Sequence, residues 1–345
     1  MIINTVEEQL LGCNKVQFDE IARKASRIHD SFTPYTLDWT QDAPMYMDND
    51  ANLCFKAEGR QNAKRTDVTK YALGQAASVW GIPSKYIIDL YDKDMGPLAV
   101  KNINELNKYN AAHERHMHGK MLVSENVTEA CVSERFALNF PVCDVMDTIR
   151  SKVDLNKYVP NQAYLSKSKF HMRFVDFENK VKVGGEDMSV GFTVDSSDVG
   201  KSALKVTFFL YKFACKNGLV ITGKKGTLYR QKHLGEAFDS QSIDRFIAAF
   251  DNVELLRQDG LDMIAAAQGR MMSEGEMQRI LETARKNNCP MSDKTRDNII
   301  ELATVRYGHT KWGLINGITE EAQKFSLDDR IAYETWGGNL LQMAI

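Results

Sequence analysis

The segment Lys167-Ser-Lys-Phe-His-Met-Arg-Phe174 constrains the fold more than any other stretch of the 345-residue chain. Its strict alternation predicts a strand near Tyr164–Phe177, with Lys167, Lys169, His171 and Arg173 on one face and Phe170, Met172 and Phe174 on the other. Such two-sided strands belong to antiparallel sheets with one face packed on a core. Further strands are expected at Ala130–Leu138, Ser189–Val194 and Leu204–Cys215. The short Gly184-Gly185 and Asp195–Gly200 connections favour antiparallel neighbours. Between the first two of these four strands, Pro141 suits a helix start, and Val142, Val145, Met146, Ile149 and Val153 form one apolar stripe. The expected class is α+β: a mainly antiparallel sheet with a packed helix, flanked by an N-terminal mixed region and a C-terminal helical region.

Three regions follow from these patterns. Residues 1–120 mix helix and loop, with a helical hairpin near 69–91 whose turn is Gly81-Ile-Pro-Ser84. This pair resembles a helix-turn-helix, but Asp89, Asp92 and Asp94 in and after the second helix argue against DNA contact there. Residues 121–235 hold the basic sheet and its helix. Residues 236–345 read as helices, since Ile243, Phe246, Ile247, Phe250 and Val253 recur on one helical face.

Charge is unevenly distributed. The whole chain carries a net −2, yet Lys152–Lys232 holds 15 basic against 7 acidic residues, a local +8, and the remainder sums to −10. A basic middle segment raises the question of a polyanionic partner. The start of the sequence has no basic region followed by an apolar stretch, so no secretory signal is expected. The most apolar segment, Val206–Cys215, is interrupted by Lys212 and is half the length of a membrane span. Six cysteines without a CxxC pair fit a reduced, cytoplasmic protein.

The candidate contacts are cations and aromatics. Lys167, Lys169, His171 and Arg173 would line one exposed sheet face at about 6–7 Å intervals, similar to phosphates along a single strand, with Lys167, Lys169 and Arg173 as the phosphate contacts. On the neighbouring strand Lys205 shares a face with Thr207, Phe209 and Tyr211. Lys224 and Lys225 lie in a Gly-flanked turn, with Arg230 and Lys232 following. Tyr164, Phe209 and Tyr211 are candidate stacking platforms for bases; the competing reading makes these aromatics core. Val199-Gly-Lys-Ser202 imitates a phosphate loop, but Asp195 stands where that loop needs glycine. His113, His116 and His118 have no close cysteine pair to complete a zinc site. No catalytic set can be assembled from spacing, and neither cofactor nor metal is expected.

Several segments together resemble one family. They are Tyr71-Ala-Leu-Gly-Gln-Ala76, Trp80-Gly-Ile-Pro-Ser-Lys-Tyr86, Ala130-Cys-Val-Ser-Glu-Arg-Phe136, Phe213-Ala-Cys-Lys-Asn-Gly-Leu219, Trp312-Gly-Leu-Ile-Asn-Gly-Ile-Thr319 and Glu334-Thr-Trp-Gly-Gly338. The resemblance is to the phage and plasmid-like proteins of the domain of unknown function 932 family, over about residues 68–340. Phe136 stands where that family usually has Tyr, and Lys216 where it has Thr or Ser. The resemblance implies a phage or mobile-element context and supplies no active site. The order of strands, helix and basic sheet is also distantly similar in architecture to phage single-strand annealing proteins of the RecT and Red-beta kind.

The expected function is therefore binding or annealing of single-stranded DNA, or another nucleic acid, in recombination, repair or replication. The chain would act as a homo-oligomer in the host cytoplasm and away from membranes. The alternative is an interaction factor that antagonises or recruits a host protein. A third is a DNA-processing enzyme, for which no carboxylate cluster is visible.

Overall fold

The computed structural model describes residues 2–3, 8–11, 15–38, 45–56, 62–113, 118–213, 217–223, 226–235, 238–286 and 289–343. In chain order the first half contains β1 (Ile2–Ile3), β2 (Glu8–Leu11), α1 (Lys15–Ser31), β3 (Thr33–Asp38), β4 (Met45–Met47), β5 (Leu53–Phe55) and β6 (Lys64–Thr69). It continues with α2 (Lys70–Val79), α3 (Ser84–Asp92), α4 (Gly96–Ala112), β7 (His118–Ser124), β8 (Val127–Ser133) and α5 (Val142–Lys152). The second half begins with β9 (Tyr158–Leu165), β10 (Phe170–Asp176), β11 (Val181–Val183), β12 (Glu186–Ser196), β13 (Leu204–Lys212), β14 (Asn217–Val220) and β15 (Thr227–Gln231). Helices α6 (Ser240–Leu255), α7 (Arg257–Gly269), α8 (Glu274–Lys286), α9 (Asp293–Glu301), α10 (Lys311–Glu321) and α11 (Leu327–Gln342) complete it. The class is α+β, with mostly antiparallel strands.

Two sheets form. The first has the order β3-β7-β8-β6-β5-β4, with β1 added beside β6; the β6–β8 and β1–β6 pairs are parallel. Its core gathers Leu37, Met45, Phe55, Val68, Met121 and Val123 under α2, α3 and α4. The expected hairpin near 69–91 is α2 and α3: Thr69 caps α2 by accepting from the Ala72 N–H at 3.1 Å, and Pro83 precedes α3. The boundary placed at 120 falls inside β7, and β7 and β8 belong to this first sheet.

The second sheet has the order β14-β13-β12-β10-β9-β2, with β11 on β12 and β15 on β13. Gly184 and Gly185 both take positive φ (56° and 85°), the conformation a two-residue hairpin needs between β11 and β12. The apolar face of this sheet carries Phe170, Met172, Phe174, Phe192, Val206 and Phe208, in one cluster with Phe18 and Ile21 of α1, Val145 and Ile149 of α5, and Phe246 and Phe250 of α6. The helix foreseen from Pro141 is α5. Its first N–H, on Val142, donates to Asp198 Oδ1 at 2.9 Å. The C-terminal helices α7–α11 extend the same core through Leu261, Ile264, Leu314, Ile318, Trp336 and Leu340. No helix among the described residues is long and apolar enough to cross a membrane.

The single strand expected at Tyr164–Phe177 is a correction. It is two strands, β9 and β10, joined by a turn at Ser166–Lys169. Ser166 Oγ accepts from the Lys169 N–H at 3.1 Å, and the Ser166 N–H donates to the Lys169 carbonyl at 2.9 Å. Lys167 therefore sits in a turn, not in the row of a strand.

Candidate nucleic-acid interface

Cross-strand register places the polar residues of the second sheet in two adjacent rows. One runs Tyr164–His171–Asp195–Lys205–Arg230 across β9, β10, β12, β13 and β15. The next runs Gln162–Arg173–Thr193–Thr207 across the first four of those strands. Beyond them, Gly191 faces Phe209, and Tyr211 lies between Ser189 and Gly218. The alternation read at Phe170–Phe174 thus holds: His171 and Arg173 share the face opposite the phenylalanines.

The expectation that this face is exposed is overturned. Arg173 is 1% exposed and both of its terminal nitrogens donate to the Glu334 carboxylate of α11, itself 0% exposed. Lys169 pairs with Asp328 at the start of the same helix. Lys167 pairs with Glu125 at 3.2 Å and Glu129 at 3.3 Å, at the β7–β8 hairpin of the first sheet. Lys205 pairs with Asp195 at 3.4 Å. The physical reason is charge complementarity within the chain: Lys167, Lys169 and Arg173 are matched by carboxylates from the acidic flanks, and Lys205 by Asp195 of the middle segment itself. An unpaired buried charge is far costlier than a paired one.

Tyr164, Phe209 and Tyr211 are also buried, so none presents an open ring for stacking. Phe209 and Tyr211 join Phe177 and Phe213 in an aromatic cluster, and the Arg173 guanidinium lies 5.0 Å from the Phe209 ring centre. Gly218 permits this: a Cβ there would meet the Phe209 ring at 1.9 Å. Arg230 and Lys232 are exposed, as expected. Lys224 and Lys225 lie outside the described residues.

Electrostatics at the face follow from burial and pairing. Burial holds His171 below the ordinary imidazole range, so the ring is neutral at pH 7 and its Nδ1–H donates to Asp195 at 2.8 Å. Burial alone would raise Asp195, but His171, Lys205 and Lys169 outweigh it and hold the carboxyl well below the usual range. Glu129 is raised by burial despite Lys167. Among the described residues, no three His, Cys, Asp or Glu side chains converge as metal ligands.

The structure adds cations that the sequence reading passed over. Arg23, Lys24 and Arg27 of α1 line a cleft of about 500 Å³ with Lys167, Glu20 and Glu125. Their spacing on one helix was legible, but they fall outside the basic window. A second cleft, about 530 Å³, is lined by Lys120, Glu134, Arg135, Phe136 and Asp239. The turn after β15 closes against it, with Leu234 bridging to Phe136 and the Gly235 N–H donating to the Arg135 carbonyl. Arg23, Arg27, Arg135, Arg230 and Lys232 are exposed, and none has a carboxylate within 4.0 Å among the described residues. No protein-family model, curated protein or solved structure matches the chain.

Proposed function

We propose that this chain is a non-enzymatic nucleic-acid-binding protein that holds a single strand along the rim of the second sheet, in the phage or mobile-element setting its resemblance implies. The observation that carries the reading is the set of cations left without carboxylate partners, among the described residues, at one end of that sheet. Arg230 stands beside Lys205 and is followed by Lys232, with Arg135 nearby; Arg23 and Arg27 flank the cleft that Lys167 closes. From β10 to β15 the sheet end spans about 14 Å, the width of three strand spacings, enough for a few nucleotides of backbone. Sequence-tolerant contact of this kind comes from phosphate neutralisation and is strongly salt-dependent. The contact set differs from the one first expected, because Arg173, Phe209 and Tyr211 are enclosed.

Fluorescence anisotropy of a labelled single-stranded oligonucleotide, against a duplex of the same length, tests the reading. Affinity that favours the single strand and falls steeply with salt supports it; no binding at low salt removes it. In that event the interaction-factor reading gains, with the same cations facing an acidic protein partner. Repeated sites on one strand favour self-association through avidity, so a homo-oligomer on the oligonucleotide is part of the proposal, and sedimentation with and without the strand checks it.

A further inference from the structure

Both faces of the second sheet enclose side chains, Phe174 on one and Arg173 on the other, but only on one face are they satisfied by what covers them. Five polar atoms on the polar face are buried without a hydrogen-bond partner among the described residues: Gln162 Nε2, His171 Nε2, Arg173 Nε, Thr193 Oγ1 and Thr207 Oγ1. Four of these residues are the whole of one cross-strand row, and His171 belongs to the next. Buried polar groups in folded proteins nearly always find partners, and a cluster without them calls for a specific cause. Just above the row, Glu334 receives both terminal nitrogens of Arg173 and the Nε–H of Arg330 at 3.0 Å. A carboxylate held by two guanidinium groups over a row of hydroxyl and amide donors occupies the kind of place a phosphate oxygen takes.

We propose that the Gln162–Arg173–Thr193–Thr207 row is an anion site for the phosphodiester backbone, closed in this structure by Glu334 and Asp328 of α11 acting as internal stand-ins. The inference rests on the strand-binding reading above and adds a second, gated contact to the rim. In the closed form α11 offers the row one carboxylate and leaves its other donors unmet. An incoming strand competes for Arg173 and Lys169 and satisfies the threonine hydroxyls and the Gln162 amide. The Gly337-Gly338 pair gives the helix a place to bend: Gly338 lies directly on the Val220 carbonyl of β14, where a Cβ would come within 2.2 Å. Glycine pairs are common sites of helix kinks. The carboxylate-bearing turns precede this anchor.

The double variant Thr193→Val/Thr207→Val separates the possibilities, because it removes two unpartnered hydroxyls at nearly constant shape. A face that opens to the strand predicts a raised melting temperature together with at least fivefold weaker oligonucleotide binding. A face that never opens predicts the same gain in stability with unchanged affinity, and that result overturns the proposal while the rim reading stands. Asp328→Asn, which removes the carboxylate of a side chain 49% exposed, should bind about threefold tighter; equal or weaker binding counts against the gate. Hydrogen exchange of residues 327–336 should quicken when oligonucleotide is added to the wild type, and unchanged or slower exchange contradicts displacement of the helix. If the wild type binds no oligonucleotide, the rim reading and this inference fall together.

Discussion

The two faces of the second sheet are made by the same strands and both enclose side chains, yet they are held by different physics. On one side Phe192 stacks on Phe174 at 4.7 Å and contacts Phe250 at 5.0 Å, under helices α1, α5 and α6. On the other, Arg173 and Lys169 meet carboxylates of α11, and several polar atoms have no hydrogen-bond partner among the described residues. Apolar burial is non-directional and tolerates many partners. An enclosed charge needs a partner of opposite sign and matching geometry. The apolar face therefore fixes the fold, and the polar face fixes which part of the chain, or which ligand, may lie on it.

The comparison is sharpest in mutants. Phe192→Ala should cost about 4 kcal/mol of unfolding free energy, as expected for a large core truncation that leaves a cavity. On the polar face Arg173→Met should cost about 3 kcal/mol, because it removes both Arg173 bonds to the enclosed Glu334 carboxylate and leaves Arg330 as its cation. Adding Glu334→Leu should recover most of that loss. Denaturant unfolding of the three variants checks the pattern; a double variant no better than Arg173→Met would break it.

Acid should act through two buried imidazoles, His171 on the polar face and His233, whose ring lies 4.9 Å from that of Phe238 in the apolar cluster. Burial lowers His171 and takes His233 down to about 4. In the unfolded chain these rings take up protons near 6.5. Between those values for His233 the unfolded state binds more protons, so its contribution is complete above about pH 6.5 and is lost as pH falls toward 4, and His171 acts in the same direction. His233 alone should cost about 2 kcal/mol between pH 7 and pH 5. Asp198, pushed up to about 6 by burial, works in the opposite direction. The difference between wild type and His233→Asn at the two pH values isolates the histidine. A difference that does not change with pH would contradict the assignment.

The smallest effect belongs to the rim. Arg230→Ala should change stability by less than about 0.5 kcal/mol, as for most surface substitutions. Its effect should appear instead in oligonucleotide binding. A loss of stability comparable to that of Arg173→Met would mean that Arg230 is part of the enclosed network.

What the sequence disclosed follows the same division. Alternation at Phe170–Phe174 revealed both faces of β10, and the helical stripes at Val142–Ile149 and Phe246–Val253 revealed the cover of the apolar one. Local spacing carries that information. The turn at Ser166–Lys169 was hidden because serine side chains build it, without the Gly, Pro or Asn that usually mark a reversal. The first sheet was hidden because β4 and β5 have three residues each and β6 pairs in parallel with a strand some 60 positions away. The partners of Lys167, Lys169 and Arg173 lie 42, 159 and 161 residues distant, so no local pattern could show that the basic row was already neutralised.

The central claim is that the cations without internal partners, and not the enclosed row alone, hold the strand. The slope of log affinity against log salt for a single-stranded oligonucleotide measures it, in wild type and in Arg23→Ala/Arg27→Ala/Arg230→Ala/Lys232→Ala. Each phosphate contact contributes about 0.7 to that slope, so loss of all four should flatten it by about 2.8. A fully folded quadruple variant with the wild-type affinity and slope would contradict the account.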